Sequence, residues 1–195
     1  MNSIIAKDGL NILTNKGEKK MLKEIMNLIN LIIDEMGFSP YIIDDKISDI
    51  VASKARTMLD VKVPLYYEEL SNKTMGRCRI IGKINIVQIN ECASPSNIAY
   101  LFKNDEDSAI FFFEKICNTI LHEYRHVYQI KIGMFDTCKY KKASKDYSAY
   151  YNQACEVDAR EWASKIWEEN SAQLLGAVFN FLEDLYLDLL ENGWE

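Results

Sequence analysis

The two histidines of this 195-residue chain lie four positions apart, in the segment His122-Glu123-Tyr124-Arg125-His126. Apolar residues around them recur at helical spacing and predict a helix over about residues 109–131, which ends before Gly133. Residues at positions i and i+4 of a helix share one face. The folded chain must therefore accommodate both imidazole rings side by side on this one face of the helix.

Two stripes run along the predicted helix. The first is apolar and consists of Ile116, Ile120, Tyr124 and Val127. The second is polar and consists of Asn118, Thr119, His122, His126 and Gln129. The apolar stripe predicts burial against a core, and the polar stripe beside it predicts the wall of a cleft. Asp105 and Ser108 precede the helix and provide capping groups for its first turn.

The histidine pair has the H-E-x-x-H spacing that is typical of zinc sites. Both imidazoles can bind one ion, and Glu123, one step around the helix, can contact a water molecule on that ion. The alternative is a pair of histidines on a solvated face. The apolar stripe beside them argues against this alternative, because it places the helix in the interior.

A zinc site requires a third protein ligand, which must be a carboxylate or a cysteine because the chain has no further histidine. A second acidic segment with helical spacing supplies the candidates. We favour Glu156, because it shares a helical face with Ala159, Ala163 and Trp167. The small residues of this face let two helices approach closely.

Two further residues remain open as the third ligand. Asp158 is the next candidate, and Cys155 is the third. Asp158 and Glu161 are expected near Lys165 on a solvated face, which makes Asp158 the weaker choice.

The remaining pattern predicts an α+β protein in which a small sheet separates two groups of helices. N-terminal helices are predicted over residues 18–36, ending at Gly37, and 45–58. Segments rich in β-branched and aromatic residues predict three strands of a small antiparallel sheet at 61–67, 77–81 and 84–89. After Pro95 the pattern is helical again, with helices at 109–131 and 147–168 and a final helix from an N-cap at Ser171 to about residue 191.

No repeat, low-complexity tract or linker divides the chain, which predicts one domain over residues 1–195. Its core is expected at about 61–168, with a helical N-terminal part at 1–60 and a C-terminal helix at 171–191.

The composition argues against two classes of partner. With 23 Lys and Arg against 29 Asp and Glu, the formal net charge is −6, so we expect neither a nucleic-acid binder nor a protein of anionic membranes. The five cysteines form no C-x-x-C pair, which favours a reducing compartment. We find no signal-peptide pattern or apolar stretch of spanning length and expect a cytoplasmic protein. The oligomeric state stays open.

The two helical motifs together resemble those of a known enzyme family. His122-Glu123-x-x-His126, followed by the acidic helix from Glu156 to Ala163, resembles the zincin metallopeptidases with a glutamate ligand, in particular the ImmA/IrrE-like and SprT-like groups. The resemblance implies a zincin-like fold that binds one Zn²⁺ per chain through His122, His126 and Glu156, with Glu123 as the general base. Arg160 stands where some relatives carry an aspartate that orients a ligand histidine.

The resemblance predicts an intracellular zinc metalloendopeptidase that hydrolyses peptide bonds of a protein or peptide substrate. The alternative is a zincin-fold interaction protein that binds or inhibits a partner without proteolysis. The oxyanion of the reaction needs a further donor. The candidates are Tyr147, Tyr150, Tyr151 and Arg160. The strand at 84–90 is either a sheet edge that could pair with a peptide or an ordinary core strand.

Overall fold

Helices occupy both ends of the described chain, and a small sheet lies between them in sequence. The computed structural model describes residues 16–71, 74–81, 84–135, 139–143 and 145–193. The elements, in chain order, are α1 (Lys16–Asp34), α2 (Pro40–Leu59), β1 (Leu65–Glu68), β2 (Gly76–Ile81), β3 (Ile84–Asn90), a 3₁₀ turn (Glu91–Ala93), α3 (Pro95–Phe102), α4 (Glu106–Lys131), α5 (Tyr147–Tyr151) and α6 (Ala154–Asn192). This order confirms the predicted α+β class.

The N-terminal helices follow the sequence signals closely. The apolar stripe of α1 is buried, and the chain leaves this helix through Gly37, whose φ of +66° lies in the left-handed region that glycine adopts without a steric penalty. α2 begins at Pro40 rather than at residue 45, because proline fits the first turn of a helix, where its missing N–H is not needed.

The sheet is mixed rather than antiparallel, and β3 lies in its centre. The strand order is β1-β3-β2, with β2 antiparallel and β1 parallel to β3. The predicted antiparallel arrangement is therefore confirmed for β2 and β3. It is wrong for β1, which is parallel to β3. The hypothesis that residues 84–90 form a sheet edge is also wrong, because β3 has a partner strand on each side. The edge strands are β1 and β2.

The long helix α4 is the main element against which the rest of the protein packs. It contacts α2, α3 and α6 as well as β2 and β3. Its apolar stripe is buried as predicted, and the hydroxyl of Tyr124 donates a 2.7 Å hydrogen bond to the carbonyl of Val63. Asp105 caps the helix by accepting from the backbone N–H of Ser108 at 3.1 Å. The polar stripe of α4 is thereby held at a fixed orientation to its neighbours.

The break between the C-terminal helices lies earlier than expected, because α5 ends at Tyr151, inside the helix predicted at 147–168, and α6 continues through the break predicted before Ser171. α6 runs without interruption for 39 residues, from Ala154 to Asn192. Ser171 is therefore not an N-cap. It is buried inside the helix, and its hydroxyl donates a 2.6 Å hydrogen bond to Glu18 on α1. No described helix carries an apolar stretch long enough to cross a membrane.

Candidate metal centre

Two helices bring three predicted ligands together. His122 and His126 lie on α4, and Glu156 lies in the first turn of α6, which packs against α4. Nε2 of His122 is 3.3 Å from Oε2 of Glu156, and Nε2 of His126 is 3.3 Å from Oε1 of the same carboxylate. The three donor atoms all lie within 4.8 Å of one another.

The surroundings of this group are largely closed to solvent. Glu156 is 1% exposed and His126 4%, whereas His122 is half-buried. Burial raises the pKa of Glu156, but hydrogen bonds from the two histidines outweigh burial and hold that pKa well below its usual range. Burial lowers the pKa of His126, but the hydrogen bond with Glu156 and the charge of Glu123 outweigh it and raise that pKa. The site is thus built to hold a positive charge beside a buried carboxylate.

The donor set and its spacing fit a divalent ion such as zinc. Ligands at about 2.0–2.1 Å from zinc in tetrahedral geometry stand roughly 3.3 Å apart. The two nitrogen–oxygen separations are 3.3 Å, each to a different oxygen of Glu156, and the three donor atoms lie within 4.8 Å of one another. Two imidazoles and one carboxylate also leave a fourth position for water or substrate.

Glu123 lies beside the candidate metal ligands at the point where α4 meets β2. The residue is 7% exposed, and its Cγ would be 3.2 Å from a Cβ added at Gly76, the first residue of β2. The same added Cβ would be 2.7 Å from Cγ2 of Thr119. Burial and the negative charge of Glu123 raise the pKa of the Cys78 thiol to about 12, so Cys78 also lies close to this carboxylate. Glycine at position 76 therefore allows the edge strand β2 to lie directly against the helix at Glu123.

Asp158 lies between the helices and not on a solvated face. Its carboxylate accepts from Nε and Nη2 of Arg125 at 2.8 and 3.0 Å and from Nε2 of Gln129 at 2.6 Å. The Arg125 guanidinium packs over the rings of Tyr128 and Trp162. The expectation that Asp158 lies near Lys165 in solvent is therefore wrong. Lys165 instead pairs with Glu169.

Cys155 does not join the metal-ligand group in the described part of the chain. Its thiol is partly buried, and its backbone carbonyl accepts a 2.8 Å hydrogen bond from Gln129. Of the three candidates for the third ligand, Glu156 is thus the one whose side chain meets the two imidazoles.

One residue of the site was missed by the sequence reasoning. The hydroxyl of Tyr140 donates a 2.6 Å hydrogen bond to Oε1 of Glu156. Its ring packs on Phe135, which in turn contacts the His126 ring. Tyr140 lies between α4 and α5 among lysines, outside any periodic pattern. Only a search for hydrogen-bond donors near the metal motif could have suggested it.

The four predicted oxyanion donors lie at different places. Tyr150 is close to the centre, since its ring lies 6.0 Å from that of Tyr140 and the charges of Glu156 and Glu123 add to burial in raising its pKa. Tyr147 is exposed and stacks on Tyr151. Arg160 packs over the Tyr151 ring and donates to its backbone carbonyl. Tyr150 is therefore the only one of the four with a contact to the site among the interactions of the described residues.

The arrangement can bind one cation and present a carboxylate, Glu123, to a water molecule next to that cation. Two phenols, those of Tyr140 and Tyr150, can donate hydrogen bonds at the same place.

Comparison of the chain with models of protein families, with curated proteins and with solved structures gives no match.

Proposed function

We propose that this protein is a zinc-dependent metallopeptidase of the zincin type, which hydrolyses peptide bonds in a protein or peptide substrate. The observation that carries the proposal is the convergence of His122, His126 and Glu156, with Glu123 adjacent on the same helix. Two imidazoles and one carboxylate that leave a fourth position open form a donor set typical of catalytic zinc.

Each residue has a distinct role in the proposed reaction. His122, His126 and Glu156 would hold the ion. When bound, zinc lowers the pKa of a water molecule toward neutrality and polarises a carbonyl group. Glu123 accepts the proton of that water and passes it to the leaving amine. Its low exposure keeps bulk water away from this proton transfer.

The surroundings of Glu123 suit an extended peptide. Among the residues that the structure describes, β2 pairs with β3 alone, so the backbone groups on its outer side face no described strand. A peptide that pairs with this edge gains main-chain hydrogen bonds and runs past the helix that carries Glu123. Tyr150 is the donor best placed to stabilise negative charge on the substrate carbonyl, because the hydroxyl hydrogen of Tyr140 is already donated to Glu156.

Zinc content is the first test of the proposal. Protein purified with zinc should contain one ion per chain by elemental analysis, and His122→Ala or His126→Ala should abolish this stoichiometry. Equimolar zinc in both variants would show that the ion binds elsewhere.

The second test separates a peptidase from a binding protein. Glu123→Gln retains the shape of the side chain but cannot accept a proton, so zinc content should persist while cleavage slows by about 10²–10⁴-fold. The assay uses unfolded proteins as substrates and mass spectrometry of the products. The control is Glu161→Gln, an exposed substitution on α6. If zinc-loaded wild type cleaves none of these substrates, the peptidase proposal fails and partner binding takes its place.

A further inference from the structure

Gln129 is fully buried between α4 and α6, and all its amide atoms are engaged. Its Nε2 donates to the backbone carbonyl of Cys155 at 2.8 Å and to the carboxylate of Asp158 at 2.6 Å. Its Oε1 lies 2.8 Å from Nδ1 of His126. The side chain therefore connects a candidate metal ligand on one helix to two acceptors on the other.

The two acceptors fix the orientation of the Gln129 amide. A backbone carbonyl has no hydrogen to donate, and Asp158 is held as a carboxylate by the two hydrogen bonds from Arg125. Rotating the amide by half a turn would place its oxygen against both acceptors. The NH₂ group must therefore face Cys155 and Asp158, and the oxygen must face His126.

This orientation determines the state of the His126 ring. An amide oxygen can only accept, so Nδ1 of His126 must carry a hydrogen. The hydrogen that His126 gives up when it binds an ion is then the one on Nε2, the nitrogen directed at Glu156, because the hydrogen on Nδ1 is held by Gln129. We propose that Gln129 sets which nitrogen of His126 binds the metal, and that Asp158 acts on the metal site through Gln129. In many metal sites a carboxylate contacts the ligand histidine directly. Here an amide lies between the two.

The proposal rests on the proposed metal site and not on proteolysis. It makes Gln129 and Asp158 positioning residues. It also gives a reason for Asp158 to lie between the helices although it binds no metal.

Three variants separate positioning of His126 from simple bridging of the helices. Gln129→Leu removes the acceptor for His126 and the donors for α6. Gln129→Glu keeps an acceptor for His126 but loses the donors and places a second carboxylate beside Asp158. Adding Asp158→Asn to Gln129→Glu restores a donor between the two side chains and leaves the net charge unchanged.

The measured quantities are zinc affinity, by competition with a chelator, and the ring state of His126, by ¹⁵N–¹H spectra of zinc-loaded protein with labelled histidine. The spectra are simple because the chain has two histidines. We expect Gln129→Leu to bind zinc about 10–100-fold more weakly and to lose the hydrogen-bonded Nδ1 proton of His126. The double variant should retain this proton and recover most of the affinity. Glu161→Gln is the control and should match wild type.

The two single variants separate positioning from bridging. Both lose the donors to α6, so bridging alone predicts that Gln129→Glu binds zinc no better than Gln129→Leu. Positioning of His126 predicts a higher affinity in Gln129→Glu, because the carboxylate still accepts from Nδ1. Equal affinity in these two variants, or wild-type affinity in Gln129→Leu, overturns the proposal. A wild type that binds no zinc overturns the metal site and this proposal together. Zinc binding without cleavage refutes only the peptidase.

Discussion

The phenol of Tyr140 and the carboxylate of Glu156 are joined by a 2.6 Å hydrogen bond in which Tyr140 is the donor. Glu156 has two oxygens, and each of them also faces one imidazole. Tyr140 therefore restricts the rotation of the carboxylate that the two histidines share. The segment between α4 and α6 thus contributes directly to the candidate metal centre.

Tyr140→Phe should lower zinc affinity by about tenfold, because it removes a hydrogen bond that orients a ligand. The ring and its packing on Phe135 are retained, so thermal unfolding should change little. Tyr147→Phe is the matched control, since Tyr147 is exposed. Equal zinc affinity in the two variants would exclude an orienting role for the Tyr140 hydroxyl.

Three acidic residues of α6 should differ in their effect on zinc binding. Glu156→Ala should abolish stoichiometric binding, because it removes a ligand. Asp158→Ala should weaken binding by a smaller factor, because it removes only one of the two acceptors that orient Gln129. Glu161→Ala should have no effect. Isothermal titration of the metal-free variants gives this ranking, and a larger loss for Asp158→Ala than for Glu156→Ala would make Asp158 the ligand.

Two glycines should respond in opposite ways to substitution by alanine. Gly76→Ala should destabilise the fold by about 1–3 kcal/mol, because the new Cβ would be 2.7 Å from Thr119 and 3.0 Å from Ile89. Gly176→Ala should stabilise it by about 0.5–1 kcal/mol, because Gly176 lies inside α6 and its Cβ would meet no atom within 4 Å. Urea unfolding measures both changes. A change in unfolding free energy of the same sign in both variants would contradict this packing.

The clash at Gly76 also predicts a rescue. Thr119→Ser removes the methyl group that lies nearest to the new Cβ. Gly76→Ala combined with Thr119→Ser should therefore lose less stability than the sum of the single variants. Additive losses in a double-mutant cycle would show that the strain lies elsewhere.

Glu114 predicts a pH dependence of stability that is separate from the metal centre. This carboxyl is 3% exposed, and its Oε1 has no hydrogen-bond partner within the described residues. Burial, and then the charge of Glu18, raise the pKa of Glu114 from 4.5 to about 7. Between these two pKa values the folded state binds a proton that the unfolded state has lost. Stability from this group is thus fully present below pH 4.5 and is lost as the pH rises to about 7.

The unfolding free energy falls by about 3 kcal/mol at most, because each unit of pKa difference corresponds to about 1.4 kcal/mol. Glu114→Gln removes the titrating group, so its unfolding free energy should exceed that of wild type more at pH 8 than at pH 5. Urea unfolding at the two pH values measures the difference. Glu191→Gln, an exposed change in the last turn of α6, should show no such pH effect.

The clustering of His122, His126 and Glu156 could be predicted because helical periodicity assigns residues to faces. Glu156 shares its buried face with Ala159, Ala163 and Trp167. This local pattern was sufficient to predict that Glu156 lies against the helix of the two histidines. The sheet order and the length of α6 could not be predicted in the same way. The place of β3 depends on which strands pair with it, and Ser171 is satisfied by Glu18, a residue 153 positions away. Tyr140 has no periodic pattern, and the orientation of Gln129 depends on a carbonyl from another helix.

The unbroken length of α6 makes the candidate site sensitive to distant packing. At about 1.5 Å per residue, its 39 residues form a rod roughly 58 Å long, with Glu156 at one end. Its other half is anchored by buried side chains such as Leu174, Val178 and Leu182. A tilt of about one degree around the far end would move the first turn by roughly 1 Å, while metal–ligand distances are held within about 0.2 Å. A change in the packing of the C-terminal half that tilted the whole helix would therefore move Glu156 without altering any residue of the site.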